Sequence, residues 1–548
     1  MATNAALTRG IGTVTKENLK NELSQEFETV EQNLSEGTEL WTFKGKQNIY
    51  TITSSGVVEV VSTEEYNKTK KCNTPKLTSG MTPVNYVNGE WVECTEEIWD
   101  WNYESQTSTT ETGSGEGVAK WANAKTQDGS LWVWIPRFAY QIETNYHTNN
   151  AGKINVEFLQ GTTNIGTDET MYSTTYDIDE ATQNNAMSTY VVHPSFTSNT
   201  ARGGWDKNLS GFWVAKFEAG YTGTFKQPTS AQDSTVKYTS NKYYDLATVY
   251  DNYYENTVPN ETLMKYPIFK DNVHSYCEIS VGDAFGLASK LNVDGNPYGF
   301  SENSNTHMMK NSEWGAVAYL TQSRYGRNGT EITINNYATT TGNSDFLKNN
   351  KSKFIIKTGR AGNSVSANKT TNIENTFSYE SQEGQLASTT GNIYGIYDLS
   401  GGVSEYIAGY APDLDHVAYG NYKSTKEYIN EYGKYLSSEK NAKYVNIFSV
   451  DKMKMAGSNK TTNIAHYTTH KYTFGDAIWE TSNINTSNNE YNDSWNGDSS
   501  SYPSSIGAFL RRGGLITSGT TAGLFYFSFG GGNLHNGIGF RACVVNSK

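Results

Sequence analysis

The chain has 548 residues, a net charge of −13, and 36% hydrophobic against 18% charged residues. That length exceeds one ordinary core and suggests roughly three to four domains of about 150 residues. The acidic balance argues against a nucleic-acid binder, which would carry a basic field, and 12 Trp, 38 Tyr and 21 Phe supply too much material to bury for a disordered chain. No run approaches about 18 apolar residues and the N-terminus lacks an apolar core, so neither a membrane span nor a signal peptide is expected. Cys72, Cys94, Cys277 and Cys543 form no CxxC, which speaks against a zinc site or a disulfide framework; pairing of Cys72 with Cys94 stays open.

The first predicted element is a helix over residues 16–34, with Leu19, Leu23, Phe27, Val30 and Leu34 on one face and Thr15 as N-cap. Its apolar stripe needs a partner: its own domain, or a coiled coil holding a homo-oligomer, for instance a trimer. Residues 1–35 are therefore read as an attachment and oligomerisation helix. Glu39–Phe43, Ile49–Thr53 and Val57–Val61 are β-rich runs separated by Lys44-Gly45-Lys46 and Ser54-Ser55-Gly56. They make a small adaptor, which with a polar linker at 62–83 fills residues 36–83.

A third region runs from 84 to 548. Val84–Cys94 contains Asn88-Gly89, a hairpin signal. Leu131–Ile142 is a strand broken at Pro136, which should mark an edge or a bulge, and Leu209–Tyr221 is another strand. Ser280–Leu291 and Lys310–Gln322 have helical periodicity, the second capped by Asn311 or Ser312. Residues 325–390 and 411–500 are Asn/Thr/Ser/Tyr-rich loops or insertions.

The order of short motifs in this region resembles the formylglycine-generating-enzyme family. Trp134-Ile135-Pro136 is similar to that family's "VWIPGG" strand, and Phe212–Glu218 (FWVAKFE) to its "FWIDKYEVT" strand. Asn311–Tyr319 (NSEWGAVAY) resembles "TEAEWEYAA", and Ile393–Tyr406 (IYGIYDLSGGVSEY) resembles "GLYDMSGNVWEW". Leu510–Leu515 (LRRGGL) resembles "VLRGGSW", and Gly539-Phe540-Arg541 the closing "GFR". The matches keep family order over 131–548. They imply an α+β, C-type-lectin-like main domain with long loops, in which Trp134, Trp213, Trp314, Asp398, Arg512, Gly513, Gly514, Gly539, Phe540 and Arg541 are framework. The resemblance extends to phage and prophage proteins and to the variable proteins of diversity-generating retroelements.

The family's catalytic residues are missing. Sulfatase-activating members use a redox-active cysteine pair, and the only cysteines in the matching region, Cys277 and Cys543, have nothing beside them in sequence that would lower a thiol pKa. Members that bind iron need a histidine cluster; His466 and His470 have i,i+4 spacing but lie in loop-like sequence with no Glu between them. His193, before Pro194, reads as structural. Asp398 and Glu405 fall on acidic motif positions where loop-fixing hydrogen bonds are the expected role. Gly402 and Ser404 replace the family's Asn and Trp. No cofactor is expected, with calcium, which some members hold by nearby oxygens, left open.

Residues 511–541 enclose a segment, 515–536, that lacks Lys, Arg, Glu, Asp, Gln, Met and Trp. Each of its residues has a codon ending in a pyrimidine, as randomised AAC or AAT codons would yield. An invariant polar loop gives the same composition. Such residues suit an adaptable paratope. Alternation in Leu524–Phe529 sets Phe525 and Phe527 inward, and Phe529, beside Gly530-Gly531-Gly532, is assigned to the outside against its parity. The expected contacts are Leu515, Ile516, Thr517, Ser518, Thr520, Thr521, Tyr526, Ser528, Phe529, Asn533, Leu534, His535 and Asn536. The sequence thus predicts a non-enzymatic, surface-exposed virion protein of a phage or prophage tail that binds a bacterial cell-surface glycan or protein. Its N-terminus would meet other tail proteins. Neither nucleic acid nor membrane insertion is expected. The alternatives are a structural virion decoration and an enzyme of the formylglycine-generating type.

Overall fold

The computed structural model describes residues 66–104, 119–221, 266–277, 279–339, 355–362, 376–411, 425–433, 436, 443–448, 470–483, 492–501, 507–516, 518–533, 535 and 537–546, together with strand backbones at 27–33, 38–43, 49–52, 58–61, 224–225 and 254–255. The architecture is α+β, with several mostly antiparallel sheets and few helices. No helix among the described residues is long and apolar enough to cross a membrane.

Near the N-terminus the helical periodicity is overruled. Phe27–Asn33 is a strand, paired antiparallel with Thr38–Phe43, which continues through Ile49–Ile52 to Val58–Val61 in a four-stranded meander. A backbone partner a short loop away satisfies the ladder groups on one side of the strand, apart from a bulge at Val30, and outcompetes an apolar stripe that would have to find its partner elsewhere. Thr15 and the rest of the expected helix, residues 16–26 and Leu34, lie outside the described residues. The expected linker is also partly built in: Cys72–Asn73 pairs with Tyr66–Asn67, and buried Asn73 donates from Nδ2 to Gly161 O and Ser210 O, both at 2.8 Å.

The main sheet has seven antiparallel strands in the order Ser304–Met308, Ala542–Asn546, Gly211–Ala215, Leu131–Pro136, Asn123–Thr126, Met81–Val87, Glu90–Glu93. Its outer hairpin turns at Asn88 and Gly89, both with positive φ (52° and 89°), the conformation for which Asn-Gly is suited. Leu131–Pro136 is buried throughout and lies in the middle of the sheet. Pro136 marks no edge: it ends one strand, and after Arg137 the chain enters a second sheet as Phe138–Ile142, between Ile154–Phe158 and Val191–Val192. The buried guanidinium of Arg137 fixes the crossing by donating to Thr163 O (2.7 Å), Asn164 Oδ1 (2.6 Å) and Phe196 O.

The two helices form as the spacing predicts, at Val281–Ala288 and Asn311–Gln322. Ser280 caps the first, its Oγ accepting from Asp283 N–H. The second is capped at Lys310, not at Asn311 or Ser312, and Glu313 reaches back to accept the Lys310 N–H at 2.9 Å. Every residue of this helix is buried. The third large sheet runs Asn446–Ile447, Ser404–Tyr410, Phe509–Gly513, Gly523–Gly530, Ser499–Ser500, Asn492–Ser494, Ser482–Asn483, with Ile538–Phe540 added parallel to Ser404–Tyr410. Trp314 ties the second helix to it through Nε1 to Leu524 O, 2.8 Å.

Candidate functional site

The C-terminal residues form a buried frame around a displayed segment. Arg512 and Arg541 are both fully buried. Arg541 meets Glu405 and also donates to Ala215 O (2.7 Å) and Tyr397 O (2.8 Å). Arg512 donates to Ala477 O (3.1 Å) and Leu524 O (3.2 Å), and its guanidinium lies 5.5 Å from the Trp314 ring. Gly513, Gly514, Gly539 and Phe540 are buried with them, as are Trp134, Trp213, Trp314 and Asp398.

Asp398 sits in the left-handed region at φ 62°. Its Oδ1 accepts from Asn335 Nδ2 (2.8 Å) and Gly359 N–H (2.9 Å), which hold the loop. Gly402, at φ +64°, allows Glu218 to approach: a Cβ there would stand 3.0 Å from Glu218 Oε2. Burial, then the charges of Asp398 and Glu405, push the Glu218 carboxyl well above the usual range.

The displayed segment starts with Arg511, whose register partner is Ser528 and whose Nη2 donates to Ser528 Oγ at 3.1 Å. Alternation puts Tyr526 on the same face, half-exposed. Ser518 organises the intervening loop, accepting the Leu515 N–H on its Oγ (3.0 Å) and the Thr521 hydroxyl on its carbonyl (3.0 Å). Leu515 and His535 flank Gly537, and the His535 ring accepts the Gly537 N–H at 3.0 Å. Thr520, Asn533 and His535 are exposed; Leu515, Ile516, Ser518 and Thr521 are half-buried. Ile516 packs on Cys277, Ile356 and Val403. Thr517, Leu534 and Asn536 lie outside the described residues.

Two expected contacts are corrected. Phe529 is 5% exposed and meets Phe448 edge-on at 5.9 Å, so its parity with buried Phe525 and Phe527 holds to the end of the strand. Ser528 is buried beneath Arg511. Arg511 itself was missed, though alternation along Phe509–Gly513 sets it opposite buried Arg512.

Two other polar groups complete the chemistry. His307, Glu313 and Cys543 bring ligand-type atoms within 4.8 Å of one another in the core. The Glu313 carboxylate is taken by His307 Nε2 (2.9 Å) and the Lys310 N–H, an arrangement that caps a helix. His470 binds Asp476 through Nε2 at 2.7 Å, while His466 lies outside the described residues. All four cysteines are free of disulfides; Cys277 and Cys543 are buried, and burial pushes the Cys543 thiol up, away from a reactive thiolate. No protein-family model matches the chain, and no curated protein matches it.

Proposed function

We propose that the chain is a non-enzymatic recognition protein of C-type-lectin-like architecture that binds a bacterial surface receptor, as a phage or prophage tail adhesin would, through the face formed by Arg511, Leu515, Thr520, Thr521, Tyr526, Asn533 and His535. One observation carries the reading: within residues 511–541 both framing arginines are sealed in the core, while the segment between them turns short polar groups and one tyrosine outward. A flat aromatic anchor among Thr and Asn suits an adaptable binding surface, and a rigid frame lets that surface vary without unfolding the domain. The motif order from Trp134 to Arg541 supports the lectin-like assignment. Several copies on one particle would raise avidity.

The test is binding of the full chain to whole bacterial cells. Tyr526→Ala with His535→Ala should lower retention on the order of 10-fold or more with unchanged melting. Equal retention by that variant and the parent overturns the assignment of this face. Deep sequencing of the last codons in a propagated population addresses diversification. Changes concentrated at 515–536 around fixed Arg512 and Gly539-Phe540-Arg541 mark a diversified surface, and an invariant sequence marks a fixed adhesin.

A further inference from the structure

A second concave site lies outside residues 511–541. Three segments far apart in sequence enclose it: Thr200–Gly203, Val445–Phe448, and Thr473 with Asp476, closed by Ser312 at the start of the second helix. The cleft is small, with a cavity volume of about 80 Å3, and it opens to solvent, so it would hold part of a ligand rather than enclose one. We propose that it binds a polyol carrying one anionic group, a phosphate or a carboxylate. Arg202 would be the counter-ion, and Asn446 Nδ2 and the hydroxyls of Thr200 and Thr473 the hydrogen-bond donors.

The polar groups of the wall divide into those committed to the protein and those left over. Asp476 is committed: Oδ2 accepts from His470 Nε2 (2.7 Å) and Asn311 Nδ2 (2.9 Å). Ser312 is committed too, donating its hydroxyl to Gly203 O (2.7 Å) and its N–H to Asn446 Oδ1 (3.0 Å). The helix terminus is thereby capped by the protein itself. What remains is donor-rich. The Arg202 guanidinium lies over the Phe474 ring at 4.7 Å, and no carboxylate among the described residues pairs with it. Asn446 has spent its oxygen on Ser312, and no group among the described residues takes its amide nitrogen, which faces the cleft lining. Thr200 and Thr473 line it with half-buried side chains. A wall with a stacked guanidinium and spare N–H and O–H groups calls for a ligand rich in acceptors with a negative charge.

The wall is also built to stay open. Gly203 has φ +85°, and a Cβ there would lie 2.6 Å from Asn446 Nδ2 and 2.8 Å from Ser312 Oγ. Behind it, buried Lys310 donates from Nζ to Gly203 O (2.9 Å) and Gly204 O (3.0 Å), fixing the turn. Ile447, which lines the cleft, is 46% exposed and offers apolar surface for the C–H face of a sugar or glycerol unit.

Calorimetry on the full chain at low salt, with glycerol 1-phosphate, glucuronate and glucose as probes, tests this. At least one anionic probe should bind about 10-fold more tightly than glucose, and its affinity should fall with added salt. Binding of glycerol 1-phosphate alone supports a phosphate ligand, and binding of glucuronate alone a carboxylate. Arg202→Gln should weaken the anion about 10-fold, Arg202→Lys should retain most of the affinity, and Thr473→Val should weaken it about 3-fold without touching the charge. Equal affinity for glucose, no heat from either anion, or an unchanged constant in Arg202→Gln would each overturn the proposal. The assay contains no cells, so its failure leaves adhesion through the C-terminal face untouched.

Discussion

Arg541 grips Glu405 with two nitrogens, Nη2 to Oε1 at 2.6 Å and Nε to Oε2 at 3.0 Å, and both side chains are fully buried. The pair joins the end of the chain to the Ser404–Tyr410 strand, while Arg541 Nη1 reaches Ala215 O in the seven-stranded sheet. One residue thus locks two sheets together beneath the displayed segment. Removing one partner strands a buried charge, so Glu405→Ala should cost about 3–5 kcal/mol in chemical denaturation. Replacing both, as Glu405→Leu with Arg541→Met, should cost less than the two single changes summed. Strict additivity would mean that the pair is not coupled.

Stability should decline from mildly acidic toward neutral pH. Asp498 is fully buried, accepts the Phe525 N–H on Oδ2 at 2.8 Å, and burial pushes its carboxyl up to about 7. The unfolded value is about 4. Between the two the folded state binds the proton more tightly than the unfolded state, so the stability contributed below about pH 4 is lost as pH rises through about 7. Asp498→Asn keeps an acceptor and removes the titration. It should melt higher than the parent at pH 8, by a difference on the order of 1–4 kcal/mol, and match it more closely at pH 5. Glu480, pushed by burial to about 7, and Asp398, to about 6, act in the same direction, so the variant's slope should be shallower rather than flat.

Adjacent residues of the Gly523–Gly530 strand should separate stability from binding. Phe527 is fully buried, and Phe527→Ala should cost about 3–5 kcal/mol. Tyr526→Ala, on the other face, should change stability by about 1 kcal/mol or less while lowering cell retention. Melting curves and pull-down of the same two proteins check both halves.

Thiol titration should find one accessible cysteine. Cys94 is half-buried, whereas Cys72, Cys277 and Cys543 are buried. Under native conditions a neutral aromatic disulfide reagent should titrate Cys94 alone, slowly, because burial raises its thiol pKa. All four should react after denaturation. Rapid native reaction of Cys277 or Cys543 would reopen a thiol-based activity.

The sequence by itself determined what short-range physics controls. Asn88-Gly89 is a hairpin turn because its two residues tolerate positive φ, and Ser280 caps a helix because its oxygen meets the first free N–H groups. The inward direction of Phe525 and Phe527 follows from the two-residue period of a strand. Tertiary structure decided whatever depended on a partner distant in the chain. Phe529 is inside because Phe448, some eighty positions earlier, covers it. Phe27–Asn33 is a strand because Thr38–Phe43 offers it a ladder. Pro136 ends a central strand because Arg137 finds carbonyls on two other segments. The cleft around Arg202 exists only where three segments converge, and no local pattern records that Asn446 turns its oxygen to Ser312 and leaves its nitrogen without a partner among the described residues. Periodicity and capping are properties of consecutive residues; burial and hydrogen-bond commitment are set by what the fold brings alongside them.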